Sequence, residues 1–323
     1  MSVRALFVIA AAAGALLVPA GAQAATGPAL DVPVATLDAA LSCSDGIADA
    51  QRDPILLIPG TTLTPAEFDW NYARAFAAKG WPYCTVTLPD HGMGDIQVAA
   101  EYVVHAIRTV SAEAGRKVDL VGHSQGGMIP RWALKYWPDT RADVADLVGL
   151  APSNHGTLVA QAVCAPGCAP SFWQQRTGSA FLTALNSGPE TWPGIDYTNV
   201  YTALDEVVTP NFDDNGSSSL HTGGGRISNV GLQQVCLAHV ADHLTTGTAD
   251  APAFALVVDA LTHAGPADPA RLAAGVCAQP VMPYVDPVTL PVNAANLATT
   301  VATQVALYPH VPAEPALKNY TRS

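Results

Sequence analysis

Basic residues are scarce in this chain. It holds 15 Lys and Arg against 27 Asp and Glu over 323 residues, for a formal net charge of −12. An acidic surface repels phosphate backbones and anionic headgroups, which argues against nucleic acid or anionic lipid headgroups as partners. Charge of either sign is thin as well, at 13% of residues, about half the usual share. A sequence with so few charges has material for a large core and for apolar surface around a site. Apolar runs of bilayer length are missing, so no transmembrane segment is expected. Internal repeats and dividing linkers are missing too, and residues 25–323 read as one domain of about 300 residues.

Cysteine, by contrast, is present in quantity. The six lie at 43, 84, 164, 168, 236 and 277. In an oxidising compartment an even count reads as three disulfides with fifteen possible pairings, and metal binding is the weaker reading. Residues 1–24 supply the route to such a compartment. Arg4 precedes the uncharged run Ala5 to Val18, and Ala22-Gln23-Ala24 offers small residues for cleavage, the pattern of a secretory signal peptide. The protein is therefore expected to be secreted and extracellular, acting as a monomer.

The chain is organised around Val118 to Met128. An apolar strand-like run leads into Gly122-His123-Ser124-Gln125-Gly126, and Met128, Ile129, Ala133, Leu134 and Trp137 follow at the spacing of a buried helix face. Strand, sharp turn and helix around Gly-x-Ser-x-Gly form a nucleophile elbow, which presents the serine hydroxyl at the carboxyl edge of a sheet. The flanking segments alternate in the same way. Residues 54–58, 81–88, 144–150, 198–204 and 227–236 read as strands; 64–80, 95–115, 172–185, 251–261 and 292–307 read as helices. Strand alternating with helix gives an α/β fold with a mostly parallel central sheet and right-handed crossovers. Residues 153–172, rich in Gly and Pro, read as a lid-type loop excursion over that edge.

A serine hydroxyl needs a base within reach and an acid to orient the base, and in this fold they follow the serine in the order acid, then histidine. That order excludes His91, His105 and His123 as bases. Of the later histidines only His239 and His243 follow a predicted strand directly. Asp205 ends the strand at 198–204, with Glu206 as its alternative. The group His239-x-x-Asp242-His243 has a metal-like look, but no further ligand cluster accompanies it. Oxyanion donors are expected from the amide of Gln125 and from the Gly60-Thr61 loop.

These segments resemble the secreted α/β-hydrolase lipase family typified by Candida antarctica lipase B. The likeness is carried by Ile58-Pro59-Gly60-Thr61-Thr62, Ser124-Gln125-Gly126-Gly127, Trp173-Gln174-Gln175-Arg176-Thr177-Gly178-Ser179-Ala180 and Asp205-Glu206-Val207-Val208. It implies an α/β-hydrolase fold with Ser124 as nucleophile, Asp205 as acid and His243 rather than His239 as base. It also implies an oxyanion hole from Thr61 and Gln125, and disulfides Cys43–Cys84 and Cys236–Cys277; Cys164–Cys168 would be a local staple without a family counterpart. Ser153, Gln175, Val207 and Val208 fall at pocket positions. His123 replaces the family's tryptophan, and either widens the alcohol side of the pocket or merely fills space.

The expected activity is hydrolysis of carboxylic esters, as a lipase or carboxylesterase, with no metal or cofactor. A secreted acyltransferase or polyester depolymerase on the same fold is the alternative, and a silent binding protein is disfavoured by the complete triad.

Overall fold

The computed structural model describes Met1 and residues 26–322, so the signal segment lies outside the described residues apart from Met1. Seven strands form one sheet: β1 Leu41–Cys43, β2 Ile55–Ile58, β3 Tyr83–Val86, β4 Val118–His123, β5 Val144–Leu150, β6 Asp196–Tyr201 and β7 Arg226–Gly231. Their order is β1-β3-β2-β4-β5-β6-β7. All neighbours are parallel except β1, which runs antiparallel to β3.

A parallel sheet covered on both faces needs strands that are apolar on both sides, and β2 meets that demand with four residues at 0% exposure. Leu56 and Ile58 join Val104, Ile107, Leu120 and Trp132 on one face. Ile55 and Leu57 join Phe76, Val121, Phe254 and Val257 on the other. The first face is covered by the helix Ile96–Ala114, capped by the Asp95 side chain and closed by Gly115 at φ 60°. The elbow helix Gln125–Tyr136 packs beside it. Its Trp132 stacks on Phe181 with ring centroids 4.2 Å apart, and truncating so large a core side chain costs about 3–5 kcal/mol.

The elements depart from the sequence expectation in five places. Residues 64–80 are not one helix but a 3₁₀ turn, Pro65–Glu67, and a helix, Tyr72–Ala78; Asn71 separates them by donating its side chain to the Glu67 carbonyl at 2.8 Å. The excursion at 153–172 is not all loop, because Thr157 caps a short helix, Leu158–Val163. The helix expected at 172–185 is split into Pro170–Gln174 and Ala180–Leu185, with Gly178 at φ 79° between them. Strands β6 and β7 stop at 201 and 231, and residues 232–235 turn into helix instead. Lastly, β1 is too short to carry a readable pattern. It sits in register with β3 at Cys43 and Cys84, which are joined by a disulfide. The other disulfides are Cys164–Cys168 and Cys236–Cys277.

From β2 the chain moves outward to β3, whereas from β4 it moves the opposite way to β5. The carboxyl ends of β2 and β4 therefore flank a topological switch point, where the following loops part and leave a crevice.

Candidate active site

Ser124 sits in that crevice at φ 55°, ψ −123°, a backbone conformation that costs a non-glycine residue on the order of 1–3 kcal/mol. The elbow closes only because its neighbours lack side chains. A Cβ on Gly122 would stand 2.0 Å from the Gly126 carbonyl oxygen, and one on Gly126 would stand 2.2 Å from that of Ile58. The turn is pinned by the Ser124 amide on the Leu150 carbonyl at 2.8 Å and by the Gly127 amide on the Ser124 carbonyl at 3.0 Å.

Asp205, on the loop past β6, and His243, the first residue of the helix His243–Thr248, converge on the same crevice. His243 Nδ1 lies 3.0 Å from Asp205 Oδ2. The other oxygen, Oδ1, accepts from the amides of Val207 at 3.0 Å and Val208 at 2.7 Å. Burial works to raise the Asp205 pKa, but His243 and the two amides outweigh it and hold the carboxyl below its ordinary value. Glu206 serves the same histidine differently, accepting from its backbone amide at 3.0 Å. His239 is turned away and pairs with Asp250. Asp242 caps the helix through the Thr245 amide at 2.7 Å, and among the described residues no cluster of three or more His, Cys, Asp or Glu could hold a metal ion.

Across the crevice, Thr61 follows β2, and Gln125 heads the elbow helix, whose amino end favours negative charge. A run of side-chain bonds fixes this wall. Ser153 donates to Gln175 Oε1 at 2.8 Å, and Gln175 Nε2 donates to Thr61 Oγ1 at 3.0 Å. Thr61 Oγ1 donates to Gln125 Oε1 at 3.2 Å. A hydroxyl has one proton, so Thr61 must turn from Gln125 to offer it to an oxyanion.

Between these walls lies a cavity of about 300 Å³ into which Ser124 and His243 both face. Of the residues read as pocket positions, His123, Gln175, Val207 and Val208 border it. Ser153 is at 0% exposure and stands behind Gln175. Val159, Val163, Phe172, Val301 and Val305 make the outer walls apolar. The first two belong to the helix Leu158–Val163, within the excursion expected over this edge, and the last two to Leu290–Leu307, whose place over the site the sequence did not disclose. His123 is only 1% exposed, and its ring is enclosed: a Cβ on Gly247 would stand 2.2 Å from its Cδ2. Its Nδ1 meets Glu67, and its Nε2 lies 3.2 Å from the His243 carbonyl oxygen. Burial lowers the His123 pKa, yet the Glu67 carboxylate more than reverses this, and the net direction is up. Glu67, fully buried, is a site residue that the sequence reading placed only within the helix expected at 64–80. A carboxylate facing His123 could have been sought only with the fold in hand.

Comparison with known proteins bears on the family and the fold. The chain is 37% identical over 212 residues to lipase B of Pseudozyma antarctica, an alignment covering 65% of this chain and 61% of that protein, which is under two thirds of its length. The crystal structure of Aspergillus fumigatus lipase B superposes with a TM-score of 0.84 at 28% identity, covering 97% of this chain and 77% of that one. The sequence profile of the lipase (class 2) family matches residues 52–230, from the approach to β2 to the end of β7, and the chain belongs to that family.

Proposed function

We propose that this protein is a secreted serine hydrolase that cleaves carboxylic esters of lipid or small-ester type. The observation that carries the reading is the His243–Asp205 contact at 3.0 Å beside a cavity that both Ser124 and His243 border. In this reading Ser124 Oγ bonds to the ester carbonyl carbon as its proton passes to His243 Nε2. Asp205 holds His243 in the tautomer that leaves Nε2 free to accept, and it faces the imidazolium that results. The Gln125 amide and the Thr61 loop donate to the oxyanion. The proton then goes from His243 to the departing alcohol oxygen. Water, deprotonated through the same histidine, attacks the acyl group and restores Ser124, releasing the acid. The apolar walls suit an acyl chain.

Secretion as a single-domain monomer, led out by residues 1–24, completes the proposal. Three disulfides are consistent with an oxidising compartment. No helix among the described residues is long and apolar enough to cross a membrane.

The test is pre-steady-state hydrolysis of p-nitrophenyl butyrate. A stoichiometric nitrophenol burst that vanishes in Ser124→Ala is the expected result. Turnover that survives the substitution would remove Ser124 from the nucleophile's role.

A further inference from the structure

Behind the nucleophile lies a buried pair that the hydrolytic steps above do not use. Glu67 and His123 are 0% and 1% exposed. Glu67 Oε2 accepts from the Gly60 amide at 3.0 Å, and Oε1 meets His123 Nδ1. On the far side of the ring, Nε2 lies 3.2 Å from the His243 carbonyl oxygen. A carbonyl can only accept, so Nε2 carries a hydrogen. One further proton then lies between Nδ1 and Oε1, and the pair is neutral as a whole whichever atom holds it. The series of bonds runs from the loop expected to hold the oxyanion, through the pair, to the backbone of the candidate base. Gly60 also lies against the nucleophile: a Cβ there would stand 3.3 Å from Ser124 Cβ and 3.4 Å from His123 Nδ1. The rings of His123 and His243 are 4.8 Å apart between centroids.

Burying two ionisable groups where apolar side chains could pack does not favour stability by itself. The geometry of this pair makes sense as a fixed spacer between two loops that must keep register across the serine. We propose that Glu67 and His123 are positioning residues for ester hydrolysis, holding the Gly60 loop and the His243 backbone in one hydrogen-bonded unit. The proposal rests on the serine-hydrolase reading and adds to it a part that exchanges no proton with the substrate.

Side-chain shape allows each link to be cut separately. Glu67→Gln keeps every bond: its oxygen accepts from Gly60, its amide donates to Nδ1 of a neutral His123, and Nε2 still reaches the His243 carbonyl. His123→Asn keeps the near link, because its amide nitrogen can stand where Nδ1 stood, but it is too short for the far one. Glu67→Ala removes the pair's anchor on the Gly60 loop.

The experiment measures kcat and KM on p-nitrophenyl butyrate per burst-titrated site, together with melting temperature. Wild-type-like kcat, within about threefold, is expected for Glu67→Gln. A kcat lower by about 10- to 100-fold at nearly unchanged KM is expected for His123→Asn and Glu67→Ala, the size of loss that accompanies an ångström-scale misplacement. His123→Asn decides the matter, since it leaves Glu67 a hydrogen-bond donor while cutting the far link, and the melting temperature reports whether the fold survives. Full kcat in that variant overturns the proposal whatever happens to the melting temperature, and so does a Glu67→Gln as impaired as Glu67→Ala. If the wild type gives no burst, or Ser124→Ala keeps one, the hydrolase reading itself has failed, and that outcome is distinct from both.

Discussion

Replacing Asp205 by asparagine tests the orientation of the base more severely than deleting the side chain would. Asp205 Oδ1 is held by two backbone amides at 3.0 and 2.7 Å, while Oδ2 faces His243 Nδ1 at 3.0 Å. An asparagine must choose which of its ends to present to each side. Turning its NH2 group toward Val207 and Val208 leaves two donors unsatisfied, at about 1–3 kcal/mol each, so the oxygen takes the Oδ1 position and the NH2 group faces the ring. His243 must then accept at Nδ1 and carry its hydrogen on Nε2, the nitrogen that has to take the serine proton. The expected fall in kcat is about 10³- to 10⁴-fold, some 4–5.5 kcal/mol of barrier at about 1.4 kcal/mol per decade. KM should change little, because the lost interaction belongs to the transition state. Steady-state kinetics on p-nitrophenyl butyrate, with a circular-dichroism melt to verify the fold, gives the answer. A folded Asp205→Asn that retains a tenth or more of wild-type kcat would refute the assignment and direct attention to Glu206.

The remaining expectations are briefer. Ser124→Ala and His243→Ala should each lower kcat by roughly 10⁴-fold or more, and the double variant should lose little beyond either, since the residues act as a unit; additive losses in single-turnover assays would contradict this. The Cys236–Cys277 bridge spans 41 residues and Cys164–Cys168 spans 4, so loop-closure entropy assigns about 4 kcal/mol to the first and about 2 kcal/mol to the second. Urea titrations of the paired Ser variants should rank them in that order, and breaking the Cys164–Cys168 bridge should shift activity on long-chain emulsions more than the melting temperature. Asp146, at the amino end of the sheet, has its carboxyl pushed up to about 7 by burial and by Asp196 and Asp53. An acid with a raised folded pKa binds more protons folded than unfolded, so it lowers stability as pH rises from about 4 toward 7. Asp146→Asn should therefore raise the melting temperature more at pH 8 than at pH 4, and equal shifts at both would show that the carboxyl is not perturbed.

Local pattern carried much of this protein's design into plain view. Strand β2, the helix Ile96–Ala114 with Asp95 and Gly115 at its ends, and the elbow around Ser124 each depend on neighbours within a few positions. Their hydrophobic periods, caps and glycines are legible one segment at a time. The rest was decided by contacts between distant segments. Residues 64–80 look like one helix, yet Glu67 turns into the core to meet Gly60 and His123, and the chain breaks at Asn71 to let it. Residues 153–172 carry the Gly and Pro of a loop, yet Thr157 caps a helix that helps wall the cavity. His239 and His243 both follow a strand-like run, and only the fold turns one toward Asp250 and the other toward Asp205. The backbone hydrogen bonds of a helix and the alternation of a strand are short-range and leave a periodic mark. The placement of a buried carboxylate or of one histidine among several is long-range, and its cause lies in whichever distant polar group must be satisfied once water has been excluded.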